Sequence, residues 1–240
     1  MTPLSKQKCV MIIAGEASGD LHGSRLVAAM RERNSDLFFC GIGGQALRDA
    51  GVKIIVDASQ LSVMSVAKKL LKSLKPDLLI IIDFPDFNLH IAGAAKKIGI
   101  SVLYYISPQI WAWRPGRVKK IRKVVDRVAV ILPFEEKIFK KHQIQATFVG
   151  HPLLDTHLFL EGSSVAKNTE DMPVVGFLPG SRDREIVKLL PVMLKSARIL
   201  LERDKNMKFI VSVAPSIKRK FVETIVEEHR GEYDFEIVSD

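Results

Sequence analysis

The chain has 240 residues, of which 47% are hydrophobic and 26% are charged, so it can bury the core of one large domain or of one and a half. Its formal net charge of +9 favours an anionic partner, which could be nucleic acid, lipid headgroups or phosphorylated metabolites. No apolar run approaches the roughly 18 residues that cross a bilayer, and none near the N-terminus makes a signal-peptide core, so we expect a cytoplasmic protein with at most peripheral membrane contact.

Short apolar runs alternate with longer amphipathic stretches over the first 160 residues. The predicted strands are 9–14, 37–40, 53–56, 77–83, 101–106, 127–132 and 146–149, and the predicted helices are 21–33, 45–50, 66–74, 91–98, 117–125 and 134–142. Apolar runs without alternation, separated by helices, predict a doubly wound parallel sheet covered on both faces, with domain limits 1–160. Cys9 and Cys40 border two of these runs and are expected to be buried free thiols.

A second alternating series follows the polar, turn-rich residues 161–173, which are typical of a linker. Its predicted elements are strand 174–178, helix 185–203, strand 208–213, helix 217–229 and strand 234–238. We interpret residues 174–240 as the start of a second Rossmann-like domain, incomplete because a three-stranded parallel sheet leaves long edges exposed.

Ligands of open parallel sheets bind beyond the carboxyl ends of the strands, so the loops after strands carry the functional hypotheses. The loop GEASGD at 15–20 offers a tight glycine turn and backbone N–H groups for an anion or sugar, although Ser18 or Asp20 could simply cap the next helix. The loop CGIGGQA at 40–46 fits a relaxed dinucleotide fingerprint. Only about eight residues separate Gly43 from the next strand, however, which is too short for a dinucleotide-binding unit and favours a tight glycine turn.

Two later loops carry carboxylates and tryptophans. Asp83 ends a very apolar strand and is placed to act as a general base, whereas Asp86 or Asn88 could cap the following helix. Trp111 and Trp113 suit a sugar ring or an acyl–headgroup boundary.

Two basic segments leave two interpretations open. The run at 114–123 has six basic residues in ten, and the helix at 66–75 has lysines beside an apolar face. Each is either a membrane-surface element or an ordinary helix with a solvated face.

The loop LPGSRDRE at 178–185 opens the second domain. Gly180 and Ser181 can offer backbone donors and Arg182 a guanidinium fork to a diphosphate, helped by the N-terminus of the next helix. The alternative is a turn with an exposed Arg/Glu pair.

Eight motifs, in order along nearly the whole chain, resemble one known family. They are GEASGD at 15–20, GIGG at 41–44, LSVMSV at 61–66, IDFPDFN at 82–88, SPQIWAWRPGRVKKI at 107–121, LPFE at 132–135, FVGHPLLD at 148–155 and LPGSRDREI at 178–186. They resemble the lipid-A-disaccharide synthases, hexosyltransferases of Gram-negative bacteria with the GT-B fold. Relative to that family the chain looks shortened at its C-terminus and in the segment after Met64.

The resemblance implies transfer of 2,3-diacylglucosamine from its UDP carrier to 2,3-diacylglucosamine 1-phosphate, which yields the disaccharide 1-phosphate and UDP. It implies Asp83 as the catalytic base. It implies donor contacts from Gly180, Ser181, Arg182 and Glu185, and acceptor contacts from Glu16, Ser18, Gly19, Asp20, Asp86, Asn88, Gln109, Trp111, Trp113 and Arg114.

The implied setting is the anionic surface of the inner membrane, approached from the cytoplasm, with no cofactor or metal and with a homodimer allowed. A non-catalytic module that binds acylated sugar phosphates, or another UDP-sugar enzyme of the GT-B class, remains an alternative. Nucleic acid is not expected as a partner, because the basic residues are scattered over helices without a recognised motif.

Overall fold

Unbroken apolar runs form the central strands of the larger of two sheets. The computed structural model describes residues 7–57, 63–112, 115–155 and 172–239, which belong to two compact units, Met1–Gly162 and Ser163–Asp240. The strands of the first unit are β1 Cys9–Ala14, β2 Phe38–Gly43, β3 Lys53–Asp57, β4 Leu78–Ile82, β5 Ser101–Tyr105, β6 Arg127–Val130 and β7 Ala146–Phe148. Its helices are α1 Ala17–Arg33, α2 Gln45–Asp49, α3 Val63–Leu74, α4 Pro85–Lys97, α5 Arg117–Val124 and α6 Pro133–Lys141.

The seven strands are parallel in the order β3-β2-β1-β4-β5-β6-β7, which confirms the predicted doubly wound α/β sheet. Chain order reverses between β1 and β4, so the topological switch point of the sheet lies between their carboxyl ends. Met11, Ile12, Ile80 and Ile81 are fully buried, because both faces of these central strands are covered. The loops after β1 and β4 therefore stand at the place where such folds bind ligands.

Among the boundaries that differ from the prediction, three reshape loops after β1 and β4. Helix α1 begins at Ala17 rather than residue 21, so most of the GEASGD motif is helical. Helix α4 begins at Pro85 rather than residue 91, because proline has the φ that the first helical position needs. Strand β4 ends at Ile82, so Asp83 lies in the turn and not in the strand.

Helix α3 packs its apolar face into the protein, as the ordinary-helix interpretation expects. Ala67 and Leu71 are fully buried, with Met64 and Leu70 half-buried against the same core. No helix among the described residues is long and apolar enough to span a membrane.

Between residues 172 and 239, the second unit contains three parallel strands and two helices. They are β8 Val174–Phe177, α7 Asp183–Arg203, β9 Lys208–Val213, α8 Arg219–His229 and β10 Glu236–Ser239, with strand order β10-β9-β8. The rings of Phe177, Phe209 and Phe235 meet at centroid distances of 5.6 to 6.3 Å and join the strands to the core. The predicted linker, residues 161–173, lies almost entirely outside the described residues.

Both cysteines are free thiols, as expected, and they lie on the neighbouring strands β1 and β2. Their Sγ atoms are 3.9 Å apart, and Cys40 is fully buried whereas Cys9 is half-buried. Burial raises the pKa of both thiols, and that of Cys40 reaches about 12. Because the thiolate is the reactive form, both cysteines are poor nucleophiles at neutral pH and serve the core.

Candidate functional site

Three residues with positive φ lie just after the carboxyl ends of β4 and β5. Asp83 and Phe84 have φ values of 45° and 42°, and Ile106 has a φ of 55°. Positive φ is uncommon outside glycine, and for bulky or β-branched residues such as Phe84 and Ile106 it is an outlier that the surrounding structure must hold in place. Strain of this kind is concentrated at functional sites, so this edge of the sheet is the first candidate.

Two fully buried side chains hold the strained turn. The amide nitrogen of Asn88 donates hydrogen bonds to the carbonyl oxygens of Ile82, at 2.9 Å, and Asp83, at 2.7 Å. The hydroxyl of Tyr104 donates to the same Asp83 carbonyl at 2.9 Å. Burial raises the pKa of Tyr104 well above its usual range, with the Asp83 carboxylate adding to the shift, so the phenol stays protonated and keeps donating. We call these two side chains the Asn88–Tyr104 brace.

Because Asn88 has no exposed surface, its side chain supports the turn from beneath. Its Oδ1 atom has no hydrogen-bond partner among the described residues, although both amide hydrogens are directed at carbonyl oxygens. An acceptor contact through Asn88, as the resemblance implies, would need a local opening. The structure gives Asn88 a positioning role.

The turn after β1 fits closely against the turn after β4. A Cβ atom on Gly15 would lie 2.6 Å from the Phe84 ring and 3.2 Å from the Phe84 Cβ, so only glycine fits without a shift. Phe84 also contacts Phe87, with ring centroids 5.8 Å apart. The glycine at position 15 therefore lets the turns after β1 and β4 meet at the topological switch point.

Asp20 is used inside the fold. Its carboxylate accepts hydrogen bonds from the backbone N–H groups of Gly44, at 2.6 Å, and Ala46, at 2.9 Å, and only 7% of the residue is exposed. It thereby caps α2 and fixes the glycine turn after β2. A side chain on Gly43 or Gly44 would strike Asp20, so this turn is filled by protein, in agreement with the tight-turn interpretation.

The other predicted residues of the GEASGD loop divide by burial. Glu16 is half-buried at the N-cap of α1, where its carbonyl accepts from the Asp20 N–H at 2.9 Å. Ser18 is exposed in the first turn, and Gly19 is buried against Ala14 and Ile82. Ser18 and Glu16 are thus the members of this loop that a ligand can reach.

Asp86 has the opposite character to Asp83. Its side chain is largely exposed and forms an ion pair with Arg117 of α5, with Oδ1 and Nη2 2.7 Å apart. The pair links the start of α4 to the start of α5. Asp83 is half-buried and lies directly on the brace, so the two carboxylates stand in different environments.

Trp111 is hydrogen-bonded to the buried carboxylate of Glu135, a residue that the sequence did not mark as part of the site. Its indole N–H donates to Glu135 at 3.2 Å, and the other carboxylate oxygen accepts from the Leu132 N–H at 3.2 Å. Glu135 is 2% exposed, whereas Trp111 and Phe134 are 46% and 44% exposed and meet edge to face, with centroids 5.1 Å apart. The result is an oriented aromatic surface, Trp111 with Phe134, at the carboxyl edge of the sheet.

Gln109 is exposed at the start of the same loop, and Trp113 and Arg114 lie outside the described residues. No group of three or more His, Cys, Asp or Glu side chains suited to a metal ion occurs within the parts of the chain that the structure describes.

In the second unit, Glu185 organises the loop after β8. Its carboxylate accepts from the Ser181 N–H at 3.2 Å and pairs with the Arg182 guanidinium at 2.8 Å. Arg182 accordingly lowers the pKa of Glu185. Gly180 has a φ of 117°, and a Cβ there would lie 2.5 Å from a Glu185 oxygen. The four residues predicted to bind the UDP-sugar are thus brought together. The Ser181 N–H and the Arg182 guanidinium both bind the Glu185 carboxylate, so they already hold a negatively charged group.

Comparison with known proteins gives one family. A model of the lipid-A-disaccharide synthetase family matches residues 10–239. Lipid-A-disaccharide synthases of Syntrophus aciditrophicus, Geobacter metallireducens and Coxiella burnetii are 47%, 46% and 41% identical to the chain. The matches cover 88%, 88% and 86% of this chain, respectively. The chain spans about 60% of the length of these relatives.

Solved structures with the same fold are distant in sequence. The Staphylococcus aureus MnaA–UDP complex has a TM-score of 0.68 at 12% identity, over 97% of this chain and 69% of that one. UDP-GlcNAc 2-epimerase of Neisseria meningitidis, bound to UDP-GlcNAc, has a TM-score of 0.66 at 10% identity, over 97% and 72% of the two chains. These likenesses support the GT-B-like fold.

The brace leads to a prediction about stability. Asn88→Ala should lower the free energy of unfolding by about 2–3 kcal/mol, because two buried carbonyl oxygens lose a donor. Tyr104→Phe should cost only about 1 kcal/mol, since Asn88 still donates to the Asp83 carbonyl. Tyr105→Phe, the same change at the next residue of β5, is the matched control and should cost under about 0.5 kcal/mol in urea denaturation. An Asn88→Ala variant as stable as the control would show that the brace does not hold the turn.

Proposed function

Because the chain belongs to the lipid-A-disaccharide synthetase family, we propose that it acts as a glycosyltransferase in lipid A synthesis. The reaction transfers 2,3-diacylglucosamine from UDP to 2,3-diacylglucosamine 1-phosphate and releases UDP. The observation that carries the proposal is the strained, braced turn that presents Asp83 at the topological switch point of the first sheet.

Asp83 is the general base of the proposed reaction. A carboxylate accepts the proton of the sugar hydroxyl as that oxygen attacks the anomeric carbon of the donor, which avoids a high-energy alkoxide. The brace supports this role, since a base works only when it is held within hydrogen-bond reach of the hydroxyl. Asp86 is the weaker candidate, because its side chain is largely exposed and lies on α4, beyond the braced turn.

The loop after β8 is the proposed donor site. Arg182 and the backbone N–H of Ser181 already converge on one carboxylate, that of Glu185, and a diphosphate would compete for the same donors. The UDP and UDP-GlcNAc named with the structural neighbours support a uridine nucleotide as the ligand class.

The acceptor side is assigned to the first unit. Glu16, Ser18, Gln109 and the aromatic surface of Trp111 with Phe134 offer polar groups and an apolar face to an acylated sugar. Trp113 and Arg114 stay predictions for this side.

An anionic membrane surface is the proposed location of the reaction. A groove of about 790 Å³ between α3, α4 and α5 has an apolar floor that includes Leu71 and Leu89. Its rim carries Lys68, Lys72, Lys96, Lys97, Lys120 and Lys123. Lysines near a membrane surface attract anionic lipid by about 1 kcal/mol each, so this face would hold the protein close to its acylated substrates.

A turnover assay with both diacylglucosamine substrates tests the proposal. Asp83→Asn should lower kcat by about 10²-fold or more while UDP binding is retained, because only proton abstraction is lost. Asp49→Asn, an exposed carboxylate of α2 bonded to Gln45, is the control and should leave turnover unchanged. If the protein binds the acylated sugar phosphate without turnover, it is a binding module; equal rates for Asp83→Asn and the wild type would remove Asp83 as the base.

Titration calorimetry with UDP tests the donor loop. Arg182→Ala should weaken UDP binding by about tenfold or more, which corresponds to losing a charge-assisted hydrogen bond to phosphate. Arg184→Ala makes the same change two residues along, at another exposed position, and should alter the Kd by less than about twofold. Equal losses in the two variants would indicate a general charge effect and not a diphosphate site.

A further inference from the structure

A group of basic side chains lies at the carboxyl edge of the first sheet and has no role in the site described so far. His22 and Arg25 are one turn apart on α1, and both are half-buried. Arg25 donates a hydrogen bond to the Pro152 carbonyl at 3.4 Å, which joins the segment after β7 to α1. His151 begins that segment and is also half-buried. We call His22, Arg25 and His151 the basic cluster.

The members of the cluster have spare hydrogen-bonding capacity. The Nδ1 atom of His22 is buried and has no partner within the parts of the chain that the structure describes. His151 accepts from the Leu153 N–H through Nδ1, at 3.3 Å, which puts the ring proton of neutral imidazole on Nε2. None of the three side chains forms a salt bridge with another described residue.

The cluster holds more basic side chains than carboxylates. Burial lowers the pKa of His22, and the nearby Arg25 and His151 lower it further. The charged groups felt by the adjacent Tyr105 are Asp155 and Arg25, and burial with Asp155 raises the pKa of that phenol while Arg25 opposes the shift. Three basic groups against one exposed carboxylate favour an additional anion.

Tyr105 of β5 links the cluster to the turn of the proposed base. Tyr105 pairs with Ile82 in the register of β5 and β4, and its carbonyl accepts from the Asp83 N–H at 3.4 Å. Tyr105 therefore contacts the Asp83 turn through its backbone, while its side chain lies within electrostatic range of Arg25. A substrate whose hydroxyl reaches Asp83 can extend a second, anionic group towards α1.

We propose that His22, Arg25 and His151 form a phosphate-binding site that holds the phosphate of the sugar-phosphate acceptor. The assignment to the acceptor rests on the proposed function, while the phosphate site itself follows from the cluster. A phosphate monoester accepts hydrogen bonds from the Arg25 fork and the imidazole N–H groups, and the Arg25 guanidinium offsets its negative charge. Anchoring the phosphate orients the sugar ring, so that its hydroxyl is presented to Asp83.

Histidine NMR during titration with N-acetylglucosamine 1-phosphate tests the site without requiring turnover. Binding should shift the imidazole signals of His22 and His151 and raise the titration midpoint of His22, because an anion stabilises the protonated ring. N-acetylglucosamine, which lacks the phosphate, should leave both signals unchanged. His142, which is exposed at the end of α6, serves as the internal reference.

A pair of matched variants tests whether Arg25 itself binds the sugar phosphate. Arg25→Gln should raise the Kd by about tenfold or more, whereas Arg33→Gln, the same change at an exposed position on the same helix, should raise it less than about twofold. The amide spectrum of each variant checks the fold, and His22→Gln replaces Arg25→Gln if the latter unfolds.

Four results would overturn the phosphate site, its assignment to the acceptor, or the proposed transferase function. Unchanged His22 and His151 signals, or equal effects of the two arginine variants, would overturn the phosphate site. Perturbation of His22 by UDP but not by the sugar phosphate would overturn the acceptor assignment. Binding at the cluster in a protein that shows no turnover would leave the site standing and reject the proposed transferase.

Discussion

The site of the first unit depends on one carbonyl oxygen, that of Asp83, which accepts hydrogen bonds from both Asn88 and Tyr104. Asp83 and Phe84 would leave their left-handed conformation if these donors were lost, because positive φ at such residues is unfavourable unless the surroundings maintain it. The side chains of Asn88 and Tyr104 are fully buried, so water does not compete for their hydrogen bonds and the backbone of the turn is held in one conformation. Phe84 of this turn lies against the chain after β1. The space between them has no room for a side chain at position 15, which explains the glycine there.

The general architecture was predictable because it depends on local patterns. Unbroken apolar runs such as Leu78–Ile82 indicate buried parallel strands, and the position of Asp83 after such a strand marked it as a candidate base. Tyr104 and Glu135 were missed, since each acts on a residue more than twenty positions away and nothing in its own neighbourhood marks it. Asp20 illustrates the converse: a carboxylate in a glycine-rich loop can suit a ligand, but here both oxygens are bound to the backbone around α2.

The two units use carboxylates in contrasting ways. In the first, Glu135 is buried and orients an exposed tryptophan, while Asp83 stays half-buried at the end of a strand. In the second, the Glu185 carboxylate accepts hydrogen bonds from Ser181 and Arg182, the groups proposed to bind a diphosphate. The carboxylate therefore occupies the proposed anion site and holds the loop in its conformation. The proposed division of labour, with acceptor chemistry on the first unit and donor binding on the second, rests on this contrast.

A double-mutant cycle between Tyr104 and Asp83 tests the central claim most directly, with kcat of the proposed transfer as the measured quantity. If Tyr104 acts by positioning the Asp83 carboxylate, Tyr104→Phe lowers kcat in the wild-type background and has no further effect once Asp83 is asparagine. An equal loss in both backgrounds would show that Tyr104 acts independently of Asp83, and that the brace stabilises the fold without preparing the base.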